Sequence, residues 1–70
     1  MQGPDSKHDE ELPYRIDLWH AEEQATIERV LARALSTELA RAIFTAAQNE
    51  YPQRRITLSK GDRMIADSSA

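Results

Sequence analysis

"IERVLARALSTELARAIFTAAQNEYP", residues 27–52, decides the fold of this chain. It can be one long helix, two helices joined by a turn, or a strand that runs into a helix. Its second half is the clearer part. Ser36 or Thr37 suits a helix N-cap, and Glu38 falls in the first turn, where the helix dipole favours a carboxylate. Leu39, Ala40, Ile43, Phe44, Ala46 and Ala47 form an apolar stripe of helical period. Pro52 forbids continuation and pushes Tyr51 out of helical geometry. The pattern predicts a helix from Thr37 to Glu50.

The first half is ambiguous. Ile27, Val30, Leu31, Ala34 and Leu35 match the i, i+3, i+4, i+7, i+8 template of a helix. The strand template fits less well, because Glu28 interrupts the face made by Val30, Ala32 and Ala34. Length argues for a break. A helix from Ala21 to Glu50 would be about 45 Å long. A seven-residue strand spans only roughly 23 Å, so such a helix would overhang any sheet this chain can build. A joint at Ser36–Thr37 leaves two readings. One is helix–turn–helix. The other is a strand over residues 26–34 that pairs back on the segment before it. The second is preferred, because it gives the preceding strand an antiparallel neighbour. Its weakness is the connection "AEEQA", residues 21–25, which has no Gly, Asn or Pro.

That preceding segment is "YRIDLWH", residues 14–20, in which Tyr14, Ile16 and Leu18 alternate with Arg15 and Asp17. It reads as a half-buried strand, with Trp19 on the Arg15/Asp17 face. At the other end, "RRITLSKGDRMIADS", residues 54–68, reads as a β-hairpin turning around Ser59–Asp62. Gly61 supplies the positive φ that a tight turn demands. A type I turn with a bulge at Gly61 would set Leu58 opposite Arg63 and Ile56 opposite Ile65. Residues 1–12, "MQGPDSKHDEEL", are polar and read as a disordered tail. The expected architecture is α+β: ββαββ, an antiparallel sheet with one helix on one face, forming a single domain over residues 13–68. The run "LARAIFTAAQNEYPQRRITL" followed by "GDRMIADS" resembles a set of small uncharacterised bacterial proteins with a strand pair, a helix and a closing hairpin. That resemblance supports ββαββ and implies no activity.

Composition narrows the function classes. Seventy residues without cysteine make one small domain with neither a disulfide nor a thiolate metal site. The N-terminal residues lack the basic and apolar segments of a signal peptide, and no apolar run reaches the ~20 residues that span a bilayer. A cytoplasmic protein without membrane association is expected. The net charge of −3 divides unevenly. Residues 1–28 hold two basic and eight acidic residues, a net of −6, whereas residues 29–70 hold seven and four, a net of +3.

No motif for catalysis, cofactor binding or phosphate cradling is present, so no enzyme activity and no cofactor are expected. His20, Glu22 and Glu23, and "HDEE" at 8–11, offer metal-ligand chemistry without a complete set, and no metal site is expected. Packing of one sheet face on the helix would leave Trp19, Ile27, Leu31, Met64 and Ala66 on the other. A face that apolar marks an interface. The expected function is a protein-interaction module that forms a homodimer through Trp19, Ile27, Leu31 and Met64. The alternative is nucleic-acid binding through a basic hairpin edge of Arg54, Arg55, Lys60 and Arg63, or through helix–turn–helix. The acidic first half disfavours it.

Overall fold

The computed structural model describes residues 12–23 and 25–69. Strands β1 (Tyr14–Trp19) and β2 (Ile27–Ala34) form a hairpin, helix α1 (Thr37–Glu50) follows, and β3 (Ile56–Lys60) and β4 (Arg63–Asp67) form a second hairpin. All four strands join one antiparallel sheet in the order β2-β1-β3-β4. The ββαββ expectation holds, and residues 27–34 are strand, which removes helix–turn–helix. The expected tail falls outside the described residues except at Leu12, which is half-buried. Among the described residues no helix is long and apolar enough to cross a membrane.

The joint is at Ser36. Its backbone is extended (φ −121°, ψ 160°), and its Oγ accepts a hydrogen bond from the Leu39 N–H at 3.2 Å, which makes it the N-cap. Tyr14 on β1 and Thr37 share a hydroxyl–hydroxyl hydrogen bond of 2.6 Å that ties the start of α1 to the sheet. At the other end the Tyr51 N–H donates to the Ala47 carbonyl, and Pro52 ends the helix.

α1 packs on β1, β2 and β3. Ile16, Leu18, Ile56 and Leu58 from the two central strands are at most 2% exposed, and Ala34, Ala40 and Ala47 complete the core. Each of those four large side chains stabilises the fold by about 1.5–3 kcal/mol. Small residues on the helix let its backbone lie close to the sheet. Leu39, expected in this core, is instead 56% exposed. Ala40, Ile43, Phe44 and Ala47 make the contact, so the buried stripe lies one position further round the helix.

β2 explains its own helix-like pattern. Its pairing with β1 is irregular at two places, with Glu28 and Leu31 unmatched by any β1 residue. Each bulge shifts the alternation by one residue. Ile27 and Val30 therefore lie opposite Trp19 and Asp17, while Ala32 and Ala34 lie opposite Ile16 and Tyr14. Leu31 packs against the core. This reverses two expectations: Val30 belongs to the open face and Leu31 to the helix face. The β1–β2 loop is wide enough to need no glycine. It is closed by the His20 N–H to the Thr26 carbonyl and the Thr26 N–H to the Glu23 carbonyl, and no described non-glycine residue has positive φ.

The second hairpin is tighter than expected. Lys60 pairs with Arg63, leaving a two-residue loop of Gly61 and Asp62. Gly61 has φ +61° and Asp62 does not have positive φ, the pattern of a type II′ turn. The bulge lies at Ile65 rather than at Gly61, and Leu58 pairs with Ala66. Ala66 therefore joins Ile65 on the helix side rather than standing on the open face. A Cβ at position 61 would meet nothing within 4 Å, so only backbone strain opposes a side chain there. Gly61→Ala should cost about 1 kcal/mol of stability in urea unfolding, and Gly61→Asn distinctly less, because Asn tolerates the left-handed region.

Candidate interaction surface on the open sheet face

The register that buries Ile16 and Leu18 under the helix turns Arg15, Asp17 and Trp19 to the opposite face of β1. Their partners on β3 are Ser59 and Thr57, and β4 adds Met64 and Asp67 to the same side. No helix covers this face, yet its centre is buried. Asp17 and Thr57 are each 1% exposed and Ser59 is 7% exposed. Neighbouring side chains do the covering. The Trp19 indole N–H donates to Thr57 Oγ1 at 2.8 Å, and Arg15 Nε donates to Asp17 Oδ2 at 3.0 Å. Asp17 Oδ1 and Ser59 Oγ are buried with no hydrogen-bond partner among the described residues. Such groups are costly unless something else satisfies them.

Trp19 is pinned from several sides. Its ring lies under the Arg55 guanidinium, 4.3 Å from centroid to Cζ, and its carbonyl accepts from Arg54. Arg55 is held in turn by Asp67, with a 2.8 Å contact from its terminal nitrogen and a further bond from Nε. The hydrogen bond from Arg55 pushes the Asp67 carboxyl down to about 2, with Ser69 adding backbone and side-chain bonds. The same bond raises the Arg55 pKa. Stacking of a guanidinium on an indole adds to this anchor.

Beside the polar centre stand large apolar side chains. Ile27 is 37%, Val30 43% and Met64 48% exposed. Trp19, Ile27 and Met64 line one shallow hollow of about 180 Å³ with Asp17, Thr57 and Ser59 in its wall. Three of the four expected interface residues thus come together. Leu31 does not, for it lines a hollow with Ile43 and Ala47 of the helix. Val30 and Arg55 were not legible as part of this surface. Val30 is placed by a bulge that leaves no local signal. Asp17 was placed on this face by its alternation with Ile16 and Leu18, but its burial left no local signal.

The expected basic edge is divided. Arg54 pairs with Glu28 and Arg55 with Asp67 before the start of β3. Lys60 and Arg63 lie at the far end of that five-residue strand, about 16 Å away. His20, Glu22 and Glu23 are exposed in the β1–β2 loop. Among the described residues no three metal-ligating groups stand together, and "HDEE" at 8–11 lies outside them. Comparison with protein-family models, with curated proteins and with solved structures returns no match to this chain.

The Arg55–Asp67 pair has a defined pH signature. A carboxyl depressed to about 2 stabilises the fold fully above its unfolded value near 4, and that contribution disappears as pH falls towards 2. Asp67→Asn should therefore lower stability at pH 7 by about 1 kcal/mol, partial exposure of the pair screening the rest. The gap between wild type and variant should close between pH 4 and pH 2 in urea titrations followed by Trp19 fluorescence. A gap that stays constant with pH would deny Asp67 this role.

Proposed function

We propose that this chain is a small, non-enzymatic protein-interaction module that forms a homodimer through its open sheet face. One observation carries the reading. Ile27, Val30 and Met64 stand exposed around a floor whose Asp17 Oδ1 and Ser59 Oγ have no partner among the described residues. An antiparallel sheet with one solvated face normally turns polar residues outward. This face turns out large apolar groups and hides polar ones, a combination that a second protein surface would complete. The face also spans both central strands, so a two-fold axis through it would set equivalent residues against each other.

The charged groups of the face are already engaged, Arg15 with Asp17 and Arg55 with Asp67. That suits a rigid docking surface better than acid–base chemistry. The lack of cysteine suits a cytoplasmic setting. Four strands at about 4.8 Å spacing and some 17 Å long give a footprint of roughly 300 Å² per protomer, at the small end of interface sizes, which suits a weak, reversible dimer.

Sedimentation equilibrium at about 100 μM should show a dimer that dissociates on dilution. Met64→Glu and Ile27→Glu should each weaken it at least tenfold while Trp19 fluorescence reports an intact fold. Leu39→Glu, on the exposed side of α1, should leave it unchanged. A monomer for the wild-type chain at that concentration would overturn the dimer.

A further inference from the structure

At the end of the sheet where β1 begins and β3 turns into β4, each strand contributes one cation. Arg15, Arg33, Lys60 and Arg63 line a single hollow of about 600 Å³. Among the described residues Asp62 is the one acid on its wall, so the lining carries a net charge of +3 in a chain whose total is −3. The register sets like charges directly against each other: Arg15 faces Arg33, and Lys60 faces Arg63. Such cross-strand pairs are destabilising. Arg33, Lys60 and Arg63 form no ion pair among the described residues, whereas Arg54 and Arg55 each hold a carboxylate. Arg15 holds Asp17 through Nε.

Protection of a sheet edge explains only part of this. Lys and Arg on edge strands deter aggregation, and Arg33 and Arg63 lie on the edge strands β2 and β4. Arg15 and Lys60 lie on the central strands, where there is no edge to protect, and they line the same hollow. Arg15 keeps Asp17 and Lys60 lies over the Tyr14 ring, 5.5 Å from its centroid, but Arg33 and Arg63 hold no carboxylate among the described residues. Four cations at one end of the sheet with so little counter-charge are the pattern of a site that waits for an anion.

We propose that this hollow binds phosphate groups, two or more at once. Three guanidinium forks and an ammonium match the oxygens of phosphate better than those of a lone carboxylate. The four cations are spread across all four strands, so the ligand is one that carries more than one phosphate, a diphosphate-type group or a short run of nucleic-acid backbone. The site lies at the end of the sheet and shares Arg15, Gly61 and Asp62 with the hollow on the open face, but anion binding and self-association are read by separate experiments.

The test is an amide NMR titration of the full-length chain at about 20 mM salt, where screening is weak. Inorganic pyrophosphate and a short oligothymidylate serve as separate probes. Saturable shifts at Arg15, Arg33, Gly61 and Arg63 are expected with at least one probe. The double variant Arg33→Gln/Arg63→Gln should bind at least tenfold more weakly. Binding of pyrophosphate as tight as the oligonucleotide identifies a small diphosphate-type ligand. Tighter oligonucleotide binding, with a log–log salt slope of about −2 to −3, identifies nucleic-acid backbone. Absence of binding by both probes overturns the site. So does binding that is unaffected by Arg33→Gln/Arg63→Gln, or that shifts Arg54 and Arg55 instead.

Discussion

The pairing of β1 with β3 is the constraint on which the rest of this structure depends. Ile16 against Leu58 and Leu18 against Ile56 form the floor on which the helix lies. The same register sets Asp17 against Thr57 and Arg15 against Ser59 on the other side. Core and candidate surface are two faces of one alignment. A slip of one residue would turn Asp17 and Thr57 towards Ala40 and Ala47 and bring four large aliphatic side chains into water, so the register is strongly specified.

One helix of fourteen residues can cover only one side of such a sheet. The other side is organised by side chains alone. Trp19 reaches across to Thr57, Arg55 lies over Trp19, and Asp67 holds Arg55. This chain of contacts joins β1, β3 and β4 without a second layer, and it buries three polar residues that a solvated sheet face would normally expose. The apolar groups left over, Ile27, Val30 and Met64, surround it. At the end of the sheet the organisation is different: four cations converge with one acid among them. Arg15 belongs to both regions, bonded to Asp17 on the face and lining the hollow at the end.

Most of the architecture was readable from local chemistry. The Ser36 cap, the Pro52 stop and the Gly61 turn are each set by a requirement of backbone geometry that few residues meet. Trp19, Ile27 and Met64 were readable as neighbours because simple alternation placed them together. Leu31 and Val30 were not. Their three- and four-residue spacings imitate a helix, and a strand with bulges at Glu28 and Leu31 produces the same spacings. Periodicity cannot separate the two, because each bulge resets the phase. The grouping of Lys60 and Arg63 with Arg15 and Arg33, rather than with Arg54 and Arg55, was equally hidden. It depends on which strands are neighbours and which ends they share.

The sequence by itself determined where the helix starts and stops and that one hairpin turns at Gly61, and it left residues 27–34 open between strand and helix. Those features rest on interactions between residues a few positions apart. Only the tertiary structure decided which side of β2 meets the helix, that Asp17 is buried beside Thr57, and that four strands bring their cations to one end. Those follow from strand order and from the bulges of an edge strand fitting itself to β1. The free energy that selects them comes from contacts between residues distant along the chain.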